Sequence, residues 1–150
     1  MRVSTKVRYG TRILVEIAAH SSNAPLALKE IANRQDVSLN YAKHIIGPLV
    51  AAGFVRTERG SRGGVVLARP AEDITLSAVV GAILGTTAPT ACVDDAATCP
   101  RSPDCVTRDV WCRIQTAVEE VLEGTTIADL VQQRRQAEGN TAGAVSAGPA

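Results

Sequence analysis

Aromatic residues are almost missing from this chain: one Trp, one Phe and two Tyr in 150 residues. Its core must therefore be built from Ala, Val, Leu and Ile. No stretch supplies eighteen uninterrupted apolar residues, which argues against a membrane span. The opening MRVSTKVRYGTR lacks the apolar centre of a secretory signal. These absences predict a cytoplasmic protein with no membrane partner, in a compartment where thiols stay reduced and structural disulfides are rare. No Walker or dinucleotide fingerprint is present and the basic half has no paired carboxylates, so an enzyme is not expected. The length suits one domain with a modest core, or a small domain plus a long dimerising element.

What is present is concentrated. All four cysteines fall in CVDDAATCPRSPDCVTRDVWC, at positions 92, 99, 105 and 112. The first three lie among Pro, Asp, Ser and Thr, a composition that reads as loop. Cys112 lies in an apolar-periodic run that reads as helix. Thiolates in a loop have few packing obligations and can converge on one ion or cluster, and soft sulfur suits zinc, Cu(I) or iron–sulfur. The spacing lacks the close CxxC pairs of a zinc finger or ribbon, which weakens zinc. A redox-active thiol set, disulfides and inert cysteines remain the other readings.

Charge is also segregated. Residues 1–70 carry eleven Lys/Arg against four Asp/Glu, a net of +7, and residues 71–150 carry five against eleven, a net of −6. A basic half of this kind suits a polyanion, although ordinary surface charge would look the same.

The basic half has a recognisable order. Tyr9, Ile13 and Ile17, with Leu14 and Ala18 beside them, predict a first helix over 2–20. Arg2, Lys6, Arg8 and Arg12 make its start basic, fit either for a phosphate backbone or for plain solvation. Residues 27–35 predict a short second helix with Leu28, Ile31 and Ala32 inward. After a break at Asp36–Val37, Ser38 is placed to cap a third helix. Its buried stripe is Leu39, Ala42, Ile45, Ile46, Leu49 and Val50. Asn40, Lys43 and His44, with part of Tyr41, fall outside the stripe. This is helix-turn-helix spacing. Pro48 predicts a kink near Gly47 or an early stop. Phe54–Glu58 and Val65–Arg69 then read as two strands around a glycine-rich turn. A wing tipped by Arg59 and Arg62 suits a minor groove.

In the acidic half, Thr75 is placed to cap a helix over 76–85, and 86–105 form the cysteine loop. Residues 106–123 predict the longest helix. Its stripe, Val110, Ile114, Val118 and Leu122, flanked by Trp111, Ala117 and Val121, exceeds what one small domain can cover and is expected to bury against a second copy. Thr126 is placed to cap a short last helix over 127–136. From Glu138 onward the chain loses periodicity and reads as a disordered tail. The expected organisation is 1–70 for the winged helix-turn-helix region, 71–134 for linker helix, cysteine loop and dimerisation helix, and 135–150 for the tail. The fold class is mainly α with a small β wing.

Four stretches resemble the Rrf2 family of bacterial regulators over roughly residues 1–134: MRVSTKVRYGTRILVEIA, SLNYAKHIIGPLVAAGFV, RGSRGGVVLARP, and the three-cysteine loop followed by CVTRDVW. The third is close to the family's RGxxGGYxLxRP, with Val65–Val66 where an aromatic is common. The resemblance implies a homodimer on partly palindromic double-stranded DNA. The DNA contacts predicted from the third helix, the wing and the basic start are Arg2, Ser38, Asn40, Tyr41, Lys43, His44, Arg59 and Arg62. In cluster-bearing members three cysteines of this loop, matching Cys92, Cys99 and Cys105, hold a [2Fe-2S] or [4Fe-4S] cluster. The fourth ligand departs from the family. Arg108 stands where the assembly regulators have a histidine, and Arg8 stands where nitric-oxide sensors have an acidic residue. Cys112 is the remaining thiolate, although a helical path from Cys105 would separate the two by about 10.5 Å. The other reading is a regulator or binding module without a cluster, like the cysteine-metabolism members, sensing a small molecule, thiol oxidation or a partner protein.

Overall fold

The computed structural model describes residues 3–20, 24–60 and 63–145, with side chains through 140. Its order is α1 (Thr5–Ala19), α2 (Leu28–Arg34), α3 (Leu39–Ala51), β1 (Val55–Glu58), β2 (Gly64–Leu67), α4 (Leu76–Leu84), α5 (Ala91–Asp94), α6 (Val106–Glu123) and α7 (Ile127–Val145). None of these helices is long and apolar enough to cross a membrane, among the described residues.

α1 and α3 each start where a side chain satisfies a free backbone N–H, whereas α2 begins at Ala27 without a side-chain cap. Ser4 Oγ accepts from the Lys6 amide at 3.2 Å, and Ser38 Oγ from the Tyr41 amide at 3.1 Å. Between α2 and α3 Asp36 takes a φ of 53°, a left-handed turn that Asp tolerates because its short side chain bonds locally. Pro48 neither stops nor shortens α3, which runs on to Ala51. The carbonyl that loses its partner belongs to exposed His44, where water can serve it, while Ala42, Ile45 and Leu49 hold the helix in the core at 0% exposure. Leu39 and Val50, expected in the buried stripe, are 40% and 39% exposed. They sit at or next to the two ends of the helix.

The wing is one antiparallel pair in register Val55↔Leu67 through Glu58↔Gly64. Leu26 adds a bridge to Val65, with amide-to-carbonyl bonds of 3.0 and 2.9 Å. A Cβ on Gly64 would lie 2.5 Å from the Leu26 carbonyl oxygen, so only glycine lets the two backbones approach this closely.

The core joins both halves of the chain. Ile13, Leu14, Ile31, Ile45 and Leu49 share it with Ile74, Val79 and Ile127. The chain returns from α6 through a Thr75–Thr126 bridge, with the Ile127 amide donating to the Ile74 carbonyl at 2.9 Å. Thr126 and Asp129 then exchange bonds as a capping box: the Thr126 amide donates to Asp129 Oδ2 at 2.8 Å and the Asp129 amide to Thr126 Oγ1 at 3.2 Å. The helix that follows corrects two expectations. It has 19 residues against 18 in α6, and it reaches Val145, through much of the stretch expected as a disordered tail. Strong helix formers at 132–138 and an i,i+4 pair, Arg134–Glu138 at 2.8 Å, carry it past the end of its apolar pattern. Residues 146–150 lie outside the described residues.

The 86–105 segment is less irregular than a loop. It contains α5 and two single 3-10 turns at Ala96–Thr98 and Ser102–Asp104. Asp95 makes the first of these: its Oδ1 accepts from the Ala97 amide at 2.9 Å, and its carbonyl from the Thr98 hydroxyl at 2.8 Å.

Candidate nucleic-acid interface and cysteine cleft

The N-terminal half of α3 presents Leu39, Asn40, Lys43 and His44 to solvent, opposite its buried face. No acidic residue sits in its first turn, so its partial positive end is unopposed and suits phosphate. Tyr41 is half-buried and meets the edge of Tyr9 on α1, with ring centroids 5.9 Å apart and planes at 89°. The Arg8 and Arg12 guanidinium groups each lie 5.4 Å from the Tyr9 ring. α1 and α3 thus form one cationic, aromatic face, a link that the separate helix patterns did not reveal. Arg59 is exposed in the wing turn. Arg2 and Arg62 lie outside the described residues.

Two other wing-region arginines have structural partners. Arg69 donates to the Gly53 and Ala52 carbonyls at 3.1 and 3.2 Å and lies 5.2 Å over the Phe54 ring. Arg56 donates to the Leu67 carbonyl and pairs with Glu58, both at 3.0 Å.

All four cysteines are free thiols, half-buried. Cys99 and Cys105 line one open cleft of about 760 Å³ together with Ser102, Pro103, Arg108 and Asp109. Ser102 Oγ is buried there without a hydrogen-bond partner. Cys105 caps the start of α6. A hydrogen bond with the Thr107 hydroxyl, at 3.2 Å, and the nearby Arg108 amide, which itself donates to the Cys105 carbonyl at 3.0 Å, hold its thiol below the usual range. Cys92 sits in α5 against the Thr90 hydroxyl at 3.3 Å. Its carbonyl accepts from Arg108 Nε at 2.8 Å. Cys92 does not line the cleft. Cys112 lies seven residues up α6 from Cys105, about 10.5 Å of helical rise.

Soft thiols on short, half-exposed turns suit an iron–sulfur cluster chemically. In position they fit in part. Two thiols share a cleft, and among the described residues no three His, Cys, Asp or Glu side chains come together to hold a metal.

α6 has no buried residue at all. Val110 is 49% exposed, and Ile114, Val118 and Leu122 line an apolar groove of about 340 Å³ with Ala117 and Val121. A different face of the helix turns to the body, where Glu119 accepts from Thr87 at 3.0 Å and from Gln115 at 2.7 Å.

Sequence reasoning also missed Glu16. It is 4% exposed, and its place between Ile13 and Ile17 on the apolar face of α1 was the available signal. Its carboxylate is bound by Arg34 at 2.6 Å and Arg134 at 2.8 Å. Burial pushes its pKa up, but those hydrogen bonds and charges outweigh it and hold the carboxyl below its usual value.

A winged helix-turn-helix continued by long helices is also the fold of solved structures that superpose on this one. A family profile described as Rrf2, iron-dependent transcriptional regulator, matches residues 3–133. Protein rrf2 of Nitratidesulfovibrio vulgaris is 39% identical over 132 residues, 88% of either chain. The structure of CymR (YrzC), the global cysteine regulator of B. subtilis, superposes with a TM-score of 0.74 at 34% identity, over 89% of this chain and 98% of that one. IscR of T. potens superposes with a TM-score of 0.75 at 32% identity, over 91% and 90%. Sequence, fold and the exposed recognition face agree: the chain belongs to the Rrf2 family of DNA-binding winged helix-turn-helix transcriptional regulators.

Proposed function

We propose that the protein works in the cytoplasm as a homodimer on partly palindromic operator DNA, with its operator affinity set by an iron–sulfur cluster in the cysteine turns. The observation that carries this reading is α6. An amphipathic helix of 18 residues with no buried side chain is rooted directly in the turns that hold Cys92, Cys99 and Cys105. Val110, Ile114, Val118 and Leu122 are assigned to the seam between two copies. Asn40, Tyr41, Lys43 and His44 are assigned to the major groove, and Arg59 to the minor groove, with Arg62 nearby. Arg2 and the capped helix start at Ser38 are assigned to backbone phosphate.

Cys92, Cys99 and Cys105 are the cluster ligands, and Cys112 is the thiolate available as a fourth. The cluster supplies bonds that oxidants, nitric oxide or iron loss can break. Everything else falls to the chain. Arg108 ties the Cys92 backbone to α6, Cys105 ends the loop at the helix N-terminus, and Thr87 braces Glu119 against the α4 end. A change in these turns therefore alters how α6 leaves the body.

A cluster-free regulator is the second reading. The position of Cys92 outside the Cys99–Cys105 cleft favours it, as does the likeness to CymR, whose structure is described as that of a cysteine regulator. Purification without oxygen, followed by iron, sulfide and visible-absorbance measurement and operator titration with holo, apo and C99A protein, separates the two. The cluster reading expects stoichiometric iron and sulfide and a holo/apo difference in operator affinity. A colourless anaerobic protein without iron, or equal affinities, rules it out in favour of the second.

A further inference from the structure

The Glu16 carboxylate joins three parts of the chain that the proposed function requires to move together. It projects from α1 with its side chain 5% exposed. Oε1 accepts from Arg34 at 2.6 Å, and Arg34 is the last residue of α2, the first helix of the helix-turn-helix. Oε2 accepts from Arg134 at 2.8 Å, and Arg134 lies on α7, 118 residues further along the chain. Each arginine is pre-aimed by a second carboxylate one turn away on its own helix, Glu30 for Arg34 and Glu138 for Arg134. Gln35 Nε2 approaches Oε2 at 3.4 Å.

α7 continues directly from the end of α6, with only Gly124–Thr126 between them. Ile127 and Val131, 0% and 7% exposed, anchor its first turns in the core. Arg134 is on the same face, i+7 from Ile127, about 10.5 Å farther along the axis. These contacts, with half-buried Leu130 beside them, fix where α7 starts. A further contact at that distance fixes its tilt. A groove of about 380 Å³ lined by Thr11, Arg12, Val15 and Leu130 opens beside the ion pair, so packing alone does not fill this end of the α1–α7 junction.

We infer that Glu16 is a positioning residue that locks the helix-turn-helix to α7, and through it to the dimer helix, so that it sets the spacing between the two recognition helices. This rests on the operator-binding dimer proposed above. A buried carboxylate shared by two arginines suits the role because its hydrogen bonds are directional, whereas apolar packing tolerates sliding. Losing Arg134 still leaves the carboxylate paired with Arg34, so R134M removes the link to α7 without orphaning a buried charge.

The test uses full-length protein and duplexes selected by the wild type from a random-sequence library, then re-spaced by one base pair between half-sites. That change moves a half-site by about 3.4 Å and turns it by about 35°. Dimer content by sedimentation and affinity for a non-selected duplex of equal length are measured alongside at fixed salt. The expected result is that R134M stays dimeric and keeps its affinity for the non-selected duplex. Its preference for the native spacing should fall about tenfold, with R134K restoring part of it and E16Q losing as much as R134M. If R134M and E16Q keep the wild-type spacing preference, the inference is overturned while the operator-binding dimer stands. If the wild type selects no sequence or shows no spacing preference, the operator-binding dimer itself falls, and the inference falls with it.

Discussion

Ser38→Asp should raise or preserve the stability of the protein while weakening its hold on DNA, and the opposition of signs is the point. Ser38 Oγ caps α3 by accepting from the Tyr41 amide at 3.1 Å. Aspartate caps as well as serine and adds a negative charge at the positive end of the helix, worth about 0.3–1 kcal/mol. Alanine instead removes the cap, at a cost of about 1 kcal/mol, or roughly 2–4 °C in Tm for a protein of this size. On DNA the same aspartate faces phosphate. At about 4 Å in water one charge pair is worth about 1 kcal/mol. A dimer carries two copies, so roughly 2 kcal/mol is lost, near thirtyfold in affinity at low salt and less as salt screens it. The assay pairs thermal unfolding with titration of operator and non-selected duplex at two salt concentrations. A stable S38D protein that binds both duplexes as tightly as the wild type would show that the α3 N-terminus does not meet phosphate.

Three further outcomes are expected. I114E/V118E places charge in the α6 seam and should sediment as monomer, where the wild type sediments as dimer at micromolar concentration; a dimeric double variant would move the interface off α6. R59A should cost about 1–3 kcal/mol on the operator and relax specificity if Arg59 reads the minor groove, and unchanged affinities at fixed salt would remove that assignment. Glu16, whose pKa is held below its usual 4.5, contributes stability that is fully present above about 4.5 and lost as the pH falls through the lower folded value. Urea unfolding from pH 6 down to 3 should therefore lose less stability for E16Q than for the wild type, and parallel pH profiles would mean that the ion pair contributes nothing.

Periodicity made the basic half legible because its helices are amphipathic against one core. Ile13 and Ile17, and Ala42, Ile45 and Leu49, are buried as their spacing predicts. Ser38 and Thr75 cap where they were placed, the latter accepting from the Ala78 amide at 3.2 Å. Misses arose where a local rule met a tertiary fact. Pro48 is a helix breaker in isolation, yet α3 is clamped by core contacts on the far side from the lost bond. Past residue 136 α7 has no apolar stripe to read, so composition alone pointed to disorder. Glu16 stood out only by its place on the apolar face of α1; its partners, Arg34 and Arg134, come from two other helices that no local pattern links to it. Of the candidate site, the exposure of Asn40, Lys43 and His44 and the apolar stripe on α6 were readable. The mutual placement of the thiols was not, since turns built on Asp95 and Pro103 follow no period.

The position of Arg108 bears on how the cysteine turns could work. Arg108 is not a cluster ligand by its chemistry, but it is not idle. Its Nε bonds the Cys92 carbonyl at 2.8 Å while its side chain lines the cleft with Cys99 and Cys105. The backbone of the first cysteine is thereby strapped to the first turn of α6, and the third cysteine caps that same turn. At its other end α6 is tied to the body by the Thr75–Thr126 bridge. A helix of 18 residues spans about 27 Å. Held at both ends, it cannot shift at its base without turning about the far tie. Under the proposed function, drawing Cys92 toward the cleft would move that base, and the tilt would pass through α7 and Glu16 to the helix-turn-helix. Since paired recognition helices must match a DNA repeat of about 34–36 Å, a tilt of a few degrees along such a lever is enough to separate a binding dimer from a non-binding one.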